Sequence, residues 1–207
     1  KAQQNWLRNW YKDFPKIKNK IIFTLPGRIT RWKGQEDFLI LIKKIIKKHS
    51  NVHGLIVGDS DKKRKFTKEL RSKITKLGLN QNITIVGHRK DIREIMSISK
   101  IVFSLSREPE AFGRVSLESL SIGSPVIAYS HGGVKEQLTK ILPNGLIKVG
   151  SINDAIRLAT KWIKEPPKIK QNNFFTLEKM LKKTLDLYNK MIKEKYQNLH
   201  DKKININ

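Results

Sequence analysis

Apolar positions along this chain change period repeatedly, and the alternation predicts a parallel sheet covered by helices. Ile21-Ile22-Phe23-Thr24-Leu25 is a short apolar run closed by Pro26-Gly27, the pattern of a buried strand. Residues 35–48 then take a helical period, with Phe38, Leu39, Ile42, Ile45 and Ile46 on one face. Residues 52–58 form the next strand, and a basic helix over 63–77 stops at Gly78, a helix C-cap. The strand Ile83-Thr84-Ile85-Val86 ends at Gly87, a short helix spans 91–97, and Ile101-Val102-Phe103-Ser104-Leu105 is a further strand. A helix over 114–122 closes with Gly123, and Pro125-Val126-Ile127-Ala128 is a strand again. Such alternation implies a doubly wound α/β domain with helices on both faces of a parallel sheet.

Two flanks differ from this core. Residues 1–20 are a polar lead-in carrying Trp6, Trp10 and Tyr11, which read as contacts to another domain or partner. After a helix over 151–164, Pro166-Pro167 breaks the chain, and residues 176–199 form a long amphipathic helix. Its apolar positions are Leu177, Met180, Leu181, Leu185, Leu187, Tyr188 and Ile192, and its last turns require a partner surface. The expected division is a lead-in over 1–20, the α/β domain over 21–170, the helix over 171–200, and a disordered Lys/Asn-rich end at 201–207.

Composition narrows the class. The chain of 207 residues suffices for one cored domain with an appendage and is short for two. It has no cysteine, which removes disulfides and thiolate metal sites and fits a reducing cytoplasm. No apolar segment is long enough to span a membrane, and residues 1–11 lack the apolar stretch of a signal peptide. The absence of an initiator Met and the abrupt opening suggest a segment missing upstream.

The net charge of +25 raises nucleic acid as a partner, yet 33 Lys against 10 Arg is the wrong balance for base and phosphate recognition, where Arg leads. Nucleic acid is therefore not expected. Attraction to an anionic membrane surface, peripheral at the inner face, stays open.

In an open parallel sheet, ligands bind beyond the carboxyl ends of the strands. After the first strand comes Gly27-Arg28-Ile29-Thr30-Arg31-Trp32-Lys33-Gly34, which sets cations around a turn that glycines let approach a ligand closely. After the strand ending at Leu105 comes Arg107-Glu108-Pro109-Glu110-Ala111-Phe112-Gly113-Arg114-Val115-Ser116-Leu117-Glu118. Gly113, Arg114 and Val115 offer backbone N–H groups at a helix N-terminus, an anion site by geometry and dipole. Glu118, a turn further on, suits hydroxyl donors instead. Phosphate binders beside hydroxyl binders describe a nucleotide-activated sugar.

Plainer readings stand beside these. Glu118 could be a solvated helix residue, Glu110 a loop charge paired with Arg107 or Arg114, and His88 a turn residue without a ligand. Asp59-Ser60-Asp61 spells a metal-binding Asp-x-Asp pattern, but lysines at 62, 63 and 65 crowd it, and no metal is expected. No G-x-G-x-x-G is present, which disfavours NAD.

These residues together resemble the retaining GT-B glycosyltransferases of family 4, the group 1 glycosyltransferases. The family's Gly-Arg turn and Lys-Gly look like Arg28 and Lys33-Gly34, and its E-x7-E element looks like Glu110 and Glu118. Its small-residue turn and strand look like Gly123-Ser124-Pro125-Val126-Ile127-Ala128, and its Gly-Gly-x-x-Glu looks like Gly132-Gly133-Val134-Lys135-Glu136. Val57-Gly58-Asp59, Val86-Gly87-His88 and Asn144-Gly145-Leu146 are further echoes.

The resemblance implies the Rossmann-like, C-terminal donor-binding half of such an enzyme, its long helix crossing to an N-terminal Rossmann domain that is absent here. Without that domain the chain would not transfer sugar alone. Arg28 and Lys33 would grip the diphosphate, Glu110 and the backbone from Phe112 to Val115 would face the donor sugar, and Glu118 would bind the ribose. His88 and Arg89 would border the base, while Gly27 and Gly58 would permit close approach. The implied setting is cytoplasmic synthesis of a surface polysaccharide, lipopolysaccharide or lipid-linked glycan. A non-catalytic nucleotide-sugar-binding or assembly module is the alternative.

Overall fold

The computed structural model describes residues 3–59, 65–170 and 174–204. Two compact units divide at Gln171, with Lys1–Gln171 forming the first and Asn172–Asn207 the second.

The first unit is built on six strands: β1 (Ile21–Pro26), β2 (Val52–Val57), β3 (Ile83–Gly87), β4 (Ile101–Ser104), β5 (Val126–Tyr129) and β6 (Leu146–Ile147). They lie in the order β3-β2-β1-β4-β5-β6, and every pairing is parallel. This is the expected doubly wound, Rossmann-like sheet. β2, β4 and β5 are buried throughout, which explains their nearly unbroken apolar sequences.

Among the described residues, seven α-helices accompany the sheet: α1 (Gln4–Asp13), α2 (Gln35–Ile45), α3 (Lys65–Lys76), α4 (Ile92–Ser97), α5 (Arg114–Ser121), α6 (Gly132–Ile141) and α7 (Ile152–Lys164). α2 packs beside α3 and α7, while α5 packs between α4 and α6, giving two helical layers. Side chains alternate along the strands to serve both. Phe23 of β1 meets Phe103 of β4 at 5.3 Å in a tilted pair, and Phe103 meets Phe38 of α2 at 5.5 Å. Ile22 of β1, with Leu55 and Val57 of β2, joins a second cluster containing Ile95 of α4, Trp10 and Ile17.

That second cluster corrects the reading of the lead-in. Residues 4–13 are helical, and Trp10 is only 2% exposed, within this domain's own core rather than in a contact to another domain. Trp6 stacks on Trp10 at 5.1 Å and its indole N–H donates to Asp91 at 2.8 Å. Two elements were also unforeseen, α6 and β6.

The second unit contains α8 (Leu177–Ile204), which continues past residue 200. Thr176 Oγ1 caps it by accepting the Lys179 N–H at 3.3 Å. Leu177, Met180, Leu181, Leu185, Leu187, Tyr188, Met191 and Ile192 are exposed. At ~100° per residue they occupy about 160° of arc, the expected amphipathic stripe. Residues 205–207 of the expected disordered end lie outside the described residues. No helix among the described residues is long and apolar enough to cross a membrane.

Candidate functional site

The order β3-β2-β1-β4-β5-β6 makes β1 and β4 neighbours whose following segments diverge to opposite faces. The crevice between them is the topological switch point where open α/β sheets bind ligands. Both sequence segments with candidate chemistry begin there.

Glycine sets the spacing of the turns on the β1 side. Gly34 has φ 75°, and a Cβ there would stand 2.1 Å from Leu105 O, so the β1 segment can lie against the end of β4 only without a side chain. A Cβ on Gly58 would stand 1.9 Å from Gly27 O. Backbone bonds tie the turns together: Gly27 N donates to Val57 O at 2.8 Å, Gly58 N to Gly87 O at 2.9 Å, and Arg107 N to Trp32 O at 2.7 Å. The Gln35 amide holds Arg28 O at 2.9 Å, leaving the Arg28 side chain exposed.

Lys33 and Glu110 meet across the crevice, Nζ to Oε1 at 2.8 Å. Their side chains are 15% and 20% exposed, shielded enough for the pair to be well defined and open enough to meet a ligand. The Lys33 ammonium also lies 4.3 Å from the centre of the Trp32 ring. Glu110 thus pairs with Lys33 rather than with Arg107 or Arg114. Its Oε1 accepts a second hydrogen bond, from Ser106 Oγ.

Two glycines underpin the Glu110 segment from below. Gly133 N donates to Glu110 O at 2.8 Å. A Cβ on Gly132 would stand 2.5 Å from Glu110 O, and one on Gly133 2.5 Å from Ala111 O. The start of α6 therefore presses directly on residues 110–112. The Gln137 amide donates to Phe112 O, and His131 Nε2 donates to Ser106 O at 2.7 Å. Since a carbonyl only accepts, the His131 proton sits on Nε2.

Arg107 is held elsewhere. Its guanidinium forks onto the Asp37 carboxylate at 2.9 and 2.5 Å, and Tyr129 OH donates to the same carboxylate at 2.7 Å. Asp37 is 2% exposed, and its bonds raise the Arg107 pKa. Burial, then the bond to Asp37, pushes the Tyr129 hydroxyl well above its ordinary value. Asp37, Tyr129, Ser106, His131 and Gln137 carried no role in the sequence reading. Pairs separated by up to 92 residues leave no local signal, although an acidic residue on the apolar side of α2 was a hint.

Gly113 takes φ 79° before α5, and a Cβ there would stand 2.4 Å from Val134 Cγ2. Phe112, Arg114 and Glu118 are exposed, and Val115 is half-buried. On the β3 side, His88 is exposed, whereas Arg89 is committed: its guanidinium binds Asp91 at 2.8 and 2.7 Å and lies 5.2 Å from the Trp10 ring. That bond holds the Asp91 pKa down and raises that of Arg89. Of Asp59-Ser60-Asp61, the last two lie outside the described residues. Among those described, no three His, Asp or Glu side chains cluster as metal ligands would.

Known proteins are similar in fold. A glycosyltransferase from Rickettsia africae superposes with a TM-score of 0.79 and 26% identity, covering 93% of this chain and 53% of its own. Anabaena HepE, in complex with UDP and glucose, superposes at 0.70 with 25% identity over 79% of this chain and 44% of its own. A trehalose synthase of Pyrococcus horikoshii is 25% identical over 191 residues, 83% of this chain and 44% of that protein. The chain thus spans about half the length of these relatives. Residues 8–176 match the family described as glycosyl transferases group 1, a span that takes in the second half of α1, the whole sheet and both sides of the crevice. By that match and by its fold, the chain belongs to the group 1 glycosyl transferases.

Proposed function

We propose that this chain is the donor-binding half of a retaining, nucleotide-sugar-dependent GT-B glycosyltransferase of family 4. The observation that carries the reading is the Lys33–Glu110 pair at the switch point, with exposed Arg28 at one side and the start of α5 on the other. An ammonium has three N–H donors, so Lys33 can keep Glu110 while donating to a phosphate oxygen. Arg28 and Lys33 stabilise the charge that builds on the departing nucleoside diphosphate. Glu110, fixed by Ser106 and Lys33, accepts hydrogen bonds from the donor sugar beside the backbone of Phe112, Gly113, Arg114 and Val115. Glu118 takes the ribose hydroxyls. His88 borders the base, and Arg89, anchored to Asp91, stiffens the turn that presents it.

An N-terminal Rossmann domain would bring the acceptor, a surface glycan or lipid-linked saccharide at the cytoplasmic face of a membrane, and the present chain alone would bind donor without transferring it. The complex of Anabaena HepE with UDP makes uracil the first base to test. Calorimetric titration with UDP, GDP and ADP at low and high salt is the decisive experiment. Selective binding that persists in high salt and weakens about tenfold or more in Glu118→Ala, the worth of one or two hydrogen bonds to a charged group, supports the reading. Equal, salt-sensitive binding of all three, or no effect of the substitution, overturns it.

A further inference from the structure

A second recess lies at the far edge of the sheet, lined by no residue of the switch-point crevice. It has a volume of about 540 Å³ and opens along β3. Among the described residues β3 pairs only with β2, so one side of its backbone is an open edge. Both helical layers overhang that edge. Phe14, Pro15 and Lys16, after α1, form one wall, and Arg71, Ile74 and Thr75 of α3 form the other, with Ile83, Thr84 and Ile85 between them.

The ladder fixes which groups face the recess. Gly54 N donates to Asn82 O, and Gly54 and Ile56 stand in register with Ile83 and Ile85. Alternate residues of a parallel strand bond to the same neighbour, so Thr84 turns its N–H and C=O to β2, and Ile85 turns both outward into the recess. The outward Ile83 N–H is taken by Leu79 O at 2.9 Å, which leaves the Ile85 N–H and C=O between the two walls, the geometry that accepts an added strand. From the ~3.3 Å rise, ~4.8 Å strand spacing and ~10 Å sheet spacing, a packed strand residue fills roughly 160 Å³. The recess therefore holds about three residues of extended chain.

Charge selects the occupant. Exposed Lys16 and Arg71 flank the recess against the single carboxylate of Asp13, and the chain as a whole carries +25. A second copy of so basic a chain would be repelled, whereas an acidic segment would be drawn in. Phe14, Ile74 and Ile85 ask for apolar side chains at alternate positions. We propose that the β3 edge is a docking site for an extended segment of a partner protein, in which acidic and β-branched residues alternate, added to the sheet as a seventh strand.

The test uses the full chain and a phage-displayed library of short random linear peptides, with UDP present throughout to occupy the crevice. Enrichment of alternating acidic and β-branched sequences is expected, with binding reduced tenfold or more by Arg71→Glu and by Lys16→Glu. Both positions are exposed, so an unchanged far-UV circular dichroism spectrum serves as the folding control. A synthetic version of the enriched peptide is then N-methylated at alternate amides. Strand addition requires one methylation phase to lose binding at least tenfold while the other retains it, because only one set of amides faces β3. No enriched sequence, indifference to both charge reversals, equal effects of the two methylation phases, or equal competition by polyglutamate would each overturn the proposal.

Discussion

At the scale of single residues, the least replaceable carboxylate is not the one that meets a ligand. Asp37 is buried at 2% exposure and satisfies the Arg107 fork and the Tyr129 hydroxyl together. Removing it lets the half-exposed Arg107 return to water but strands a buried phenol. Asp37→Ala should therefore cost about 2–4 kcal/mol in urea unfolding, and it should weaken UDP binding as well, because Arg107 adjoins the Ser106 that holds Glu110. Asp37→Asn, which still accepts from Tyr129, should recover part of both. His53 makes a different prediction. It is fully buried in β2, its Nε2 hydrogen-bonded to Thr84 Oγ1 at 2.9 Å. Burial, helped by Lys20 and Lys16, lowers its pKa from 6.5 to about 4. The unfolded chain binds this proton near pH 6.5 and the folded chain does not until about pH 4, so the stability is complete above pH 6.5 and is lost as pH falls between those values. The loss should reach on the order of 2 kcal/mol by about pH 5. Denaturant midpoints across this range should fall more steeply for the native chain than for His53→Gln, which keeps a polar partner for Thr84 without titrating.

At the scale of elements, glycines with the same backbone do unlike jobs. Gly34 and Gly78 both adopt left-handed φ, 75° and 70°, but a Cβ at Gly34 strikes Leu105 O while one at Gly78 meets nothing within 4 Å. Gly78→Ala should then cost only the backbone strain, about 1 kcal/mol, and leave UDP binding intact. Gly34→Ala must also push the β1 segment off β4, carrying Lys33 away from Glu110. It should cost about 3 kcal/mol or more and abolish measurable binding, and thermal melts alongside titrations of the two variants would check the contrast. This distinction was invisible in the sequence, where both are glycines ending or starting a helix. β1, β2, β4 and β5 were legible because burial on both faces makes them nearly continuous apolar runs, and α2 and α7 were legible because one face repeats at helical period. α6 was not, because Gly132-Gly133 signals a break. Those glycines are there so that the first turn of α6 can press on the backbone at 110–112, and Val134 and Leu138, one turn apart and buried, were the only helical trace. β6, two residues long, carries too little pattern to detect. At the crevice, the cations and carboxylates were legible as types placed after strands. Their partners were not, since Lys33 finds Glu110 and Asp37 finds Arg107 through the order of the sheet rather than through spacing in the chain.

At the scale of the whole first unit, the position of Trp10 decides where the domain begins. A Rossmann-like sheet starting at Ile21 would expose the face of β1 and β2 carried by Ile22, Leu55 and Val57, and with it Ile95 of α4. α1 closes that face. Trp10 stacks on Trp6 and packs at a tilt against Phe14, and Arg89 lies over its ring while binding Asp91, which in turn accepts from Trp6. The lead-in is thus tied both to the core and to the turn after β3 that carries His88, so its loss should reach the ligand crevice as well as stability. Trp10→Ala should cost about 3–5 kcal/mol, the range for a buried large aromatic. Removal of residues 1–20 should do worse, leaving a chain that aggregates or unfolds at room temperature. Were the lead-in merely a contact for another domain, the truncated chain would melt within a degree or two of the parent, as expected for a change below ~0.5 kcal/mol. Calorimetric melting of the parent, Trp10→Ala and the truncated chain separates these cases. UDP titration of Trp10→Ala, at a temperature where it remains folded, then shows whether the Arg89–Asp91 anchor transmits the change to the turn that carries His88.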